Sequence, residues 1–246
     1  MSAPHVLAIV SARGGSKGVP RKNLHELVPG EALVATAVRK AVATPGVDRV
    51  ICQTDDEEIA ATAREAGAET PFREPDDLAQ GNVPLITVTQ HALWRMDEVG
   101  YRADVIVQIA PTSPFIRSAN YAEAVAAVVE DRCECAVSLK RIEHEHPYRA
   151  RVVDEDGYFT NFITDLPVES FHSRQDLPTL YCTSGGLYVR QRHLLDRYDG
   201  SDFALGDRRL GILLDDIEAI NIDRPIDLEF AEFMIGTGRI GDDHLR

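Results

Sequence analysis

Near the amino end, His5-Val6-Leu7-Ala8-Ile9-Val10 strings apolar positions together without polar alternation. Such a run predicts a strand buried on both faces, and hence a parallel sheet. The period then changes: Leu33, Val34, Ala37, Val38, Ala41 and Val42 recur at helical spacing until Thr44-Pro45-Gly46 stops them. Residues 49–52 predict the second strand. The acidic stretch after it predicts a helix capped by Thr54 or Asp55, with a negative first turn that suits the helix dipole. Helical spacing returns over 83–96, with Pro84 at a tolerated first-turn position, and again over 119–130 and 225–235. Residues 104–109, 135–139 and 211–214 read as further strands. The polar tail after Gly236 is expected to fray. Between 140 and 178 the strand–helix alternation lapses. There, 149–153 and 158–162, separated by Asp154-Glu155-Asp156-Gly157, predict a β-hairpin.

This alternation predicts an α/β fold with a doubly wound, mostly parallel sheet, and 246 residues with 44% apolar content suffice for a single domain over 1–246. A net charge of −14 argues against nucleic acid as a partner and repels any anionic ligand. Attraction for such a ligand must therefore come from local cations or metal ions. No apolar run approaches a membrane span, and no basic leader precedes the first strand, so a cytoplasmic protein with no membrane association is expected. Cys52, Cys133, Cys135 and Cys182 lack the partners for a zinc site and read as thiols. His144-Glu145-His146 lacks a third ligand in the same way.

The candidate chemistry lies in Ala12 to Leu24, Ala-Arg-Gly-Gly-Ser-Lys-Gly-Val-Pro-Arg-Lys-Asn-Leu, which leaves the carboxyl end of the first strand. Open α/β sheets bind ligands there. Gly14, Gly15 and Gly18 let backbone N–H groups approach an anion, and Arg13, Lys17, Arg21 and Lys22 place four cations within ten residues. The loop suits a polyphosphate. Its spacing fits neither the Walker pattern nor the dinucleotide G-x-G-x-x-G.

The order of residues resembles the signature (I/V)-x-A-R-G-G-S-K-G-(I/V)-P-x-K-N-(L/I) of the CMP-sialic acid synthetase (acylneuraminate cytidylyltransferase) family. The resemblance implies a Rossmann-like nucleotidyltransferase fold, with residues 141–178 as a dimerisation insertion in a homodimer. It implies that Ala12, Gly14, Gly15 and Ser16 wrap the triphosphate of CTP, that Arg13 and Lys22 hold phosphate oxygens, and that Asn23 faces the nucleoside. Residues 71–79 are similar to the family's R-P-x-x-L-A segment near the base. Here Glu74 stands where relatives have arginine and Arg73 lies one place earlier, which leaves the base preference open.

Gln108, Thr112 and Ser113 resemble the Q-P-T-S-P-L-R segment on the acceptor side, a reading placed ahead of the structural one in which Thr112 and Ser113 merely cap the helix at 119–130. Arg174 and Gln175 match R-Q-x-L-P, a segment that acts around the acidic substrate. Residues 181–189 occupy the place of an N-G-A-(I/L)-Y strand, with Ser184 for its asparagine and Gly186 for its alanine. Asn221 and Asp223, on one face of an extended segment, stand where relatives carry the D-I-D that binds Mg²⁺. The implied reaction is CMP transfer from CTP to an acidic nine-carbon sugar, with release of pyrophosphate and no covalent enzyme intermediate. The rival reading is a nucleotidyltransferase of the same fold acting on a sugar-1-phosphate, cyclitol phosphate or phosphonate, with GTP a candidate nucleotide. A catalytically silent nucleotide-binding regulator is disfavoured by the retained loop cations and Asp223.

Overall fold

In the computed structural model, which describes residues 3–16, 18–143, 145–164 and 174–245, the alternation folds around one large sheet. The chain runs through β1 (Val6–Ser11), a small antiparallel pair β2 (Glu26–Val28) and β3 (Glu31–Ala32), α1 (Leu33–Ala43), β4 (Arg49–Gln53) and α2 (Glu57–Glu65). It continues as α3 (Leu85–Glu98), β5 (Val105–Ile109), α4 (Ser118–Val129), β6 (Cys135–Arg141) and the hairpin β7 (Arg151–Val153) and β8 (Phe159–Asn161). Last come β9 (Tyr181–Gln191), α5 (Arg192–Asp196), β10 (Arg209–Leu214), α6 (Pro225–Gly236) and α7 (Asp242–Leu245). Among the described residues the large sheet has the order β10-β6-β9-β5-β1-β4. Every strand in it is parallel to the others except β9, which runs antiparallel between β5 and β6.

The unbroken run in β1 is buried on both faces, as its pattern requires. Val6, Ala8 and Val10 pack beneath α1 and α4, against Val34, Val38, Ala41 and Val125. Leu7 and Ile9 face Ile86, Leu93 and Met96 of α3. A third cluster joins Leu33, Phe115, Ile222, Ala231 and Ile240. It fixes the segment before α6 against the loop after β5, where the Ile222 N–H donates to the Thr112 carbonyl at 2.8 Å. Cys52, Cys133, Cys135 and Cys182 are free thiols. No helix among the described residues is long and apolar enough to cross a membrane.

Several local expectations change in three dimensions. Asp56, rather than Thr54 or Asp55, caps α2, its Oδ1 accepting from the Glu58 and Ile59 N–H groups at 2.9 and 3.1 Å. Pro84 is the N-cap of α3 and not part of its first turn. Thr112 and Ser113 do not cap α4, because Arg117 holds that position and Glu218 receives its N–H at 2.9 Å. The tail after Gly236 is not frayed: α7 forms, and Ile240 and His244 are buried.

The tail is held by Lys40, which is 2% exposed and donates to the carbonyls of Pro114 (2.7 Å), Ile116 (2.8 Å) and His244 (2.5 Å). Burial pulls this amine down to about 7, against the pull of Glu218 and Asp243. Three carbonyls nevertheless match the three N–H donors of the charged form. Lys40→Met keeps the length of the side chain but strips three buried acceptors of their donor. The expected loss is about 3 kcal/mol, or roughly 6–12 °C in Tm for a chain of this size, read by thermal denaturation.

Candidate active site

The glycine-rich loop sits at the carboxyl end of β1, pinned on both sides by acidic segments. On one side the Gly14 N–H donates to Asp55 Oδ1 at 2.7 Å, and a Cβ at Gly14 would stand 2.9 Å from the Cβ of Asp56. On the other, a Cβ at Gly18 would lie 2.0 Å from the carbonyl oxygen of Asp223. Only glycine permits that approach. The loop turns tightly, with the Ser16 N–H on the Gly14 carbonyl at 3.0 Å, and Gly15 faces open space. Ala12 is buried and extends the sheet by donating its N–H to the Gln53 carbonyl at 3.0 Å.

Lys22, 8% exposed, is the centre of the site. Its Nζ donates to the Ile222 carbonyl at 2.7 Å and to Asp223 Oδ1 at 2.9 Å. The other oxygen of Asp223 accepts from Asn221 Nδ2 at 2.5 Å, and Asn221 Oδ1 accepts from Ser113 Oγ at 3.4 Å. The structure thus brings together Lys22, Asp223, Asn221 and Ser113 from three separate stretches. Thr112 joins them through its carbonyl.

Other expected site residues have different partners. Asn23 is 6% exposed and closes the loop on itself, Nδ2 donating to the Arg13 carbonyl at 2.9 Å. Arg21 adopts a left-handed backbone (φ 52°) and turns to Asp56 and Glu58, at 3.2 and 2.5 Å, which removes it from the cations facing a ligand. Lys17 lies outside the described residues, as does His144. His146 is buried and engaged structurally, with Nδ1 accepting from the Tyr148 N–H and Nε2 3.1 Å from the Pro178 carbonyl.

Gln108 does not reach the cleft. It is 3% exposed, its Nε2 donates to Thr89 Oγ1 and its Oε1 accepts from Arg190, both at 2.9 Å. Arg190 also donates to the carbonyls of Ala204 and Phe203, so the pair clasps the sheet to the 203–204 turn. Ser184 shares a hydrogen bond of 2.6 Å with Ser138 across β9 and β6. Gly186 is glycine for a steric reason: a Cβ there would meet Ile116 at 2.6 Å and Ser113 at 2.7 Å. Gln175 follows Arg174 in a short 3-10 turn and lines a cavity of about 300 Å³ with Arg141 and His146.

Residues 71–79 place Arg73 and Glu74 differently. Arg73 is engaged by Asp55 and Asp76, its Nε donating to the Asp55 carbonyl at 3.2 Å and its guanidinium paired with Asp76 at 2.9 Å. Glu74 instead is buried, and with Ser11 and Arg13 it lines a cavity of about 260 Å³ at the mouth of the loop. Desolvation raises the Glu74 carboxyl to about 7, helped by Asp55 and opposed by Arg13. Sequence reasoning noticed Glu74 only as a departure; that it is buried is a property of the fold.

The cytidylyltransferase family model matches residues 7–208. The chain belongs to the cytidylyltransferase family. It is 28% identical over 193 residues to N-acylneuraminate cytidylyltransferase A of Danio rerio, covering 78% of this chain and 43% of the fish protein. It is 26% identical over 228 residues to CMP-N,N'-diacetyllegionaminic acid synthase of Legionella pneumophila, covering 92% and 94%. The fold is shared with CMP:2-keto-3-deoxy-manno-octonic acid synthetase, solved in complex with CTP, at a TM-score of 0.68 and 18% identity over 95% of this chain and 99% of that one.

In this cytidylyltransferase the approach of Gly18 to Asp223 is the tightest of any described glycine. Gly18→Ala forces the loop or the Asp223 carbonyl to retreat, which misplaces Lys22 with it. Steady-state pyrophosphate release should show kcat/KM falling about 100-fold, the scale for a displacement of roughly 1 Å at a reacting centre.

Proposed function

We propose that this chain transfers CMP from CTP to an acidic, sialic-acid-like nonulosonate with release of pyrophosphate, in the cytoplasm. The contact that carries the reading is Lys22 on Asp223. It places a cation of the glycine loop and a carboxylate of the late segment at one point, where a triphosphate cradled by the loop would lie. The names of the zebrafish and Legionella relatives, an N-acylneuraminate cytidylyltransferase and a CMP-N,N'-diacetyllegionaminic acid synthase, support the acceptor class.

In the reaction the acceptor hydroxyl attacks the α-phosphorus in line, the bond to the β-phosphate oxygen breaks, and pyrophosphate carries away the electron pair. The hydroxyl proton leaves to solvent or to a neighbouring carboxylate. The chain positions the partners and offsets charge that develops on oxygen. Lys22 supplies the protein cation that reaches the phosphates, and Arg13 borders the cavity beside them.

The donor set of Asp223 and Asn221 fits Mg²⁺ arriving with the nucleotide. The Asp223 side chain is 62% exposed, and one carboxylate together with substrate phosphates suffices for that ion. Among the described residues no three acidic, histidine or cysteine side chains are grouped to hold a metal without the substrate. Bound there, Mg²⁺ would neutralise phosphate charge. Asn221 lends a neutral amide in place of a second carboxylate.

The alternative acceptors, a sugar-1-phosphate, cyclitol phosphate or phosphonate with GTP among the nucleotides, draw on Glu74 in the base-side cavity. Pyrophosphate release with each of the four nucleoside triphosphates, against acidic keto sugars and against sugar-1-phosphates, separates the two readings. CTP with an acidic keto sugar is the expected pair, and turnover only with a phosphorylated acceptor overturns it. In the productive assay Lys22→Ala should lower kcat about 10²–10³-fold with a smaller change in KM, as for loss of a donor to a developing oxyanion. Asp223→Ala should abolish turnover at any practical Mg²⁺ concentration, and Asn221→Asp should lower the Mg²⁺ needed for half-maximal rate.

A homodimer forms part of the proposal. The β7–β8 hairpin exposes Val153, Tyr158, Phe159 and Phe162, the last two at 67% and 65%, an apolar face that a second copy would cover. Light scattering on a Phe159→Asp, Phe162→Asp double variant should report a monomer where the parent chain is a dimer.

A further inference from the structure

The cavity at the mouth of the loop holds two polar groups that the phosphate chemistry does not use. Ser11 Oγ is buried without a hydrogen-bond partner, an unusual state for a hydroxyl in a cavity wall. Glu74 is 3% exposed, anchored by its N–H on the Thr54 carbonyl at 2.9 Å, and among the described residues its carboxyl forms no ion pair. The remaining wall is largely apolar, from Leu78, Val83 and Val88, which suits a flat ring. Arg13 closes the side nearest the loop.

A neutral carboxyl group offers one O–H donor beside one carbonyl acceptor. Cytosine offers the complement on its Watson–Crick edge: the N3 acceptor beside the 4-amino donor. An arginine in the same place could only donate, and an ionised carboxylate could only accept and would repel N3. We propose that this cavity takes the cytosine ring of the nucleotide and that the Glu74 carboxyl group reads its edge, donating its O–H to N3 and accepting from the 4-amino group. The proposal rests on the reading of the chain as a CTP-using enzyme and assigns the base specificity to one residue.

Recognition then depends on a proton. The groups facing Glu74 are Asp55 from the β4–α2 loop, Arg13 from the glycine loop and the thiol of Cys52 in β4, which burial pushes up to about 12. Desolvation and Asp55 favour the neutral carboxyl while Arg13 opposes it, and the balance is a value near 7. A triphosphate beside Arg13 would offset that opposition. The neutral, reading form therefore dominates below about pH 7 and is lost above it.

Calorimetric titration of CTP at fixed Mg²⁺ from pH 6 to 9, on the parent chain, Glu74→Gln and Glu74→Ala, tests this. The parent's Kd should rise toward tenfold per pH unit above 8, as for loss of one proton. Glu74→Gln keeps a donor beside an acceptor but has no proton to lose. Its profile should be flat by comparison, so that at pH 9 it binds CTP more tightly than the parent. Glu74→Ala should bind weakly at every pH. Ionisation of the γ-phosphate is common to all three proteins and cancels in their ratios. The parent's affinity for CTP relative to inorganic triphosphate gives the same readout without any variant. A parent profile parallel to that of Glu74→Gln, or a Glu74→Ala affinity equal to the parent's, overturns the assignment. GTP binding that tightens with pH also overturns it, by giving an ionised Glu74 to guanine. Binding of other nucleotides and no CTP at any pH would instead overturn the functional reading beneath it.

Discussion

The contact of Lys22 with the Ile222–Asp223 segment, across 200 positions of sequence, is what the rest of the site depends on. A lysine that is 8% exposed must find acceptors for its ammonium, and this one finds a carbonyl and a carboxylate on the same short stretch. The stretch stays in place because Ile222 is buried with Phe115, Leu33 and Ala231. Gly18 presses against the same backbone. The glycine loop is therefore shaped by the packing of α6 as much as by its own turns.

The acidic character of the chain serves the loop. Asp55, Asp56 and Glu58 follow one another along the start of α2, yet each does something different. Asp55 receives the Gly14 N–H, Asp56 caps the helix, and Glu58 with Asp56 draws Arg21 aside. Their carboxylates neutralise part of the loop's positive charge and set its conformation, while Arg13 lines the cavity beside it and Lys22 reaches Asp223. Because exposed pairs such as Arg21 with Glu58 contribute little net stability, their effect is on geometry more than on energy.

Departures from the pattern of similar enzymes also acquire physical reasons. Gly186 admits Ser113 and Ile116 where any side chain would collide, and Ser184 is matched by Ser138 on the adjacent strand. Both residues are therefore matched to the side chains that face them.

Period and composition alone determined the α/β class, the strands at β1, β4, β5, β6 and β10, the hairpin and the long helices, because burial on both faces of a sheet or one face of a helix leaves a direct imprint on apolar spacing. The glycine loop was legible for a similar reason: its glycines and cations carry a local mechanism. What the tertiary structure alone decided are contacts between distant segments, to which local spacing is blind. Gln108 and Arg190 satisfy each other inside the sheet, Lys40 ties down a tail that its own polarity would have freed, and Arg73 and Glu74 exchange the outside and inside positions that a one-residue shift in the motif left open. A buried polar group must be paired wherever the fold happens to bring a partner, and no pattern along the chain says which partner that will be.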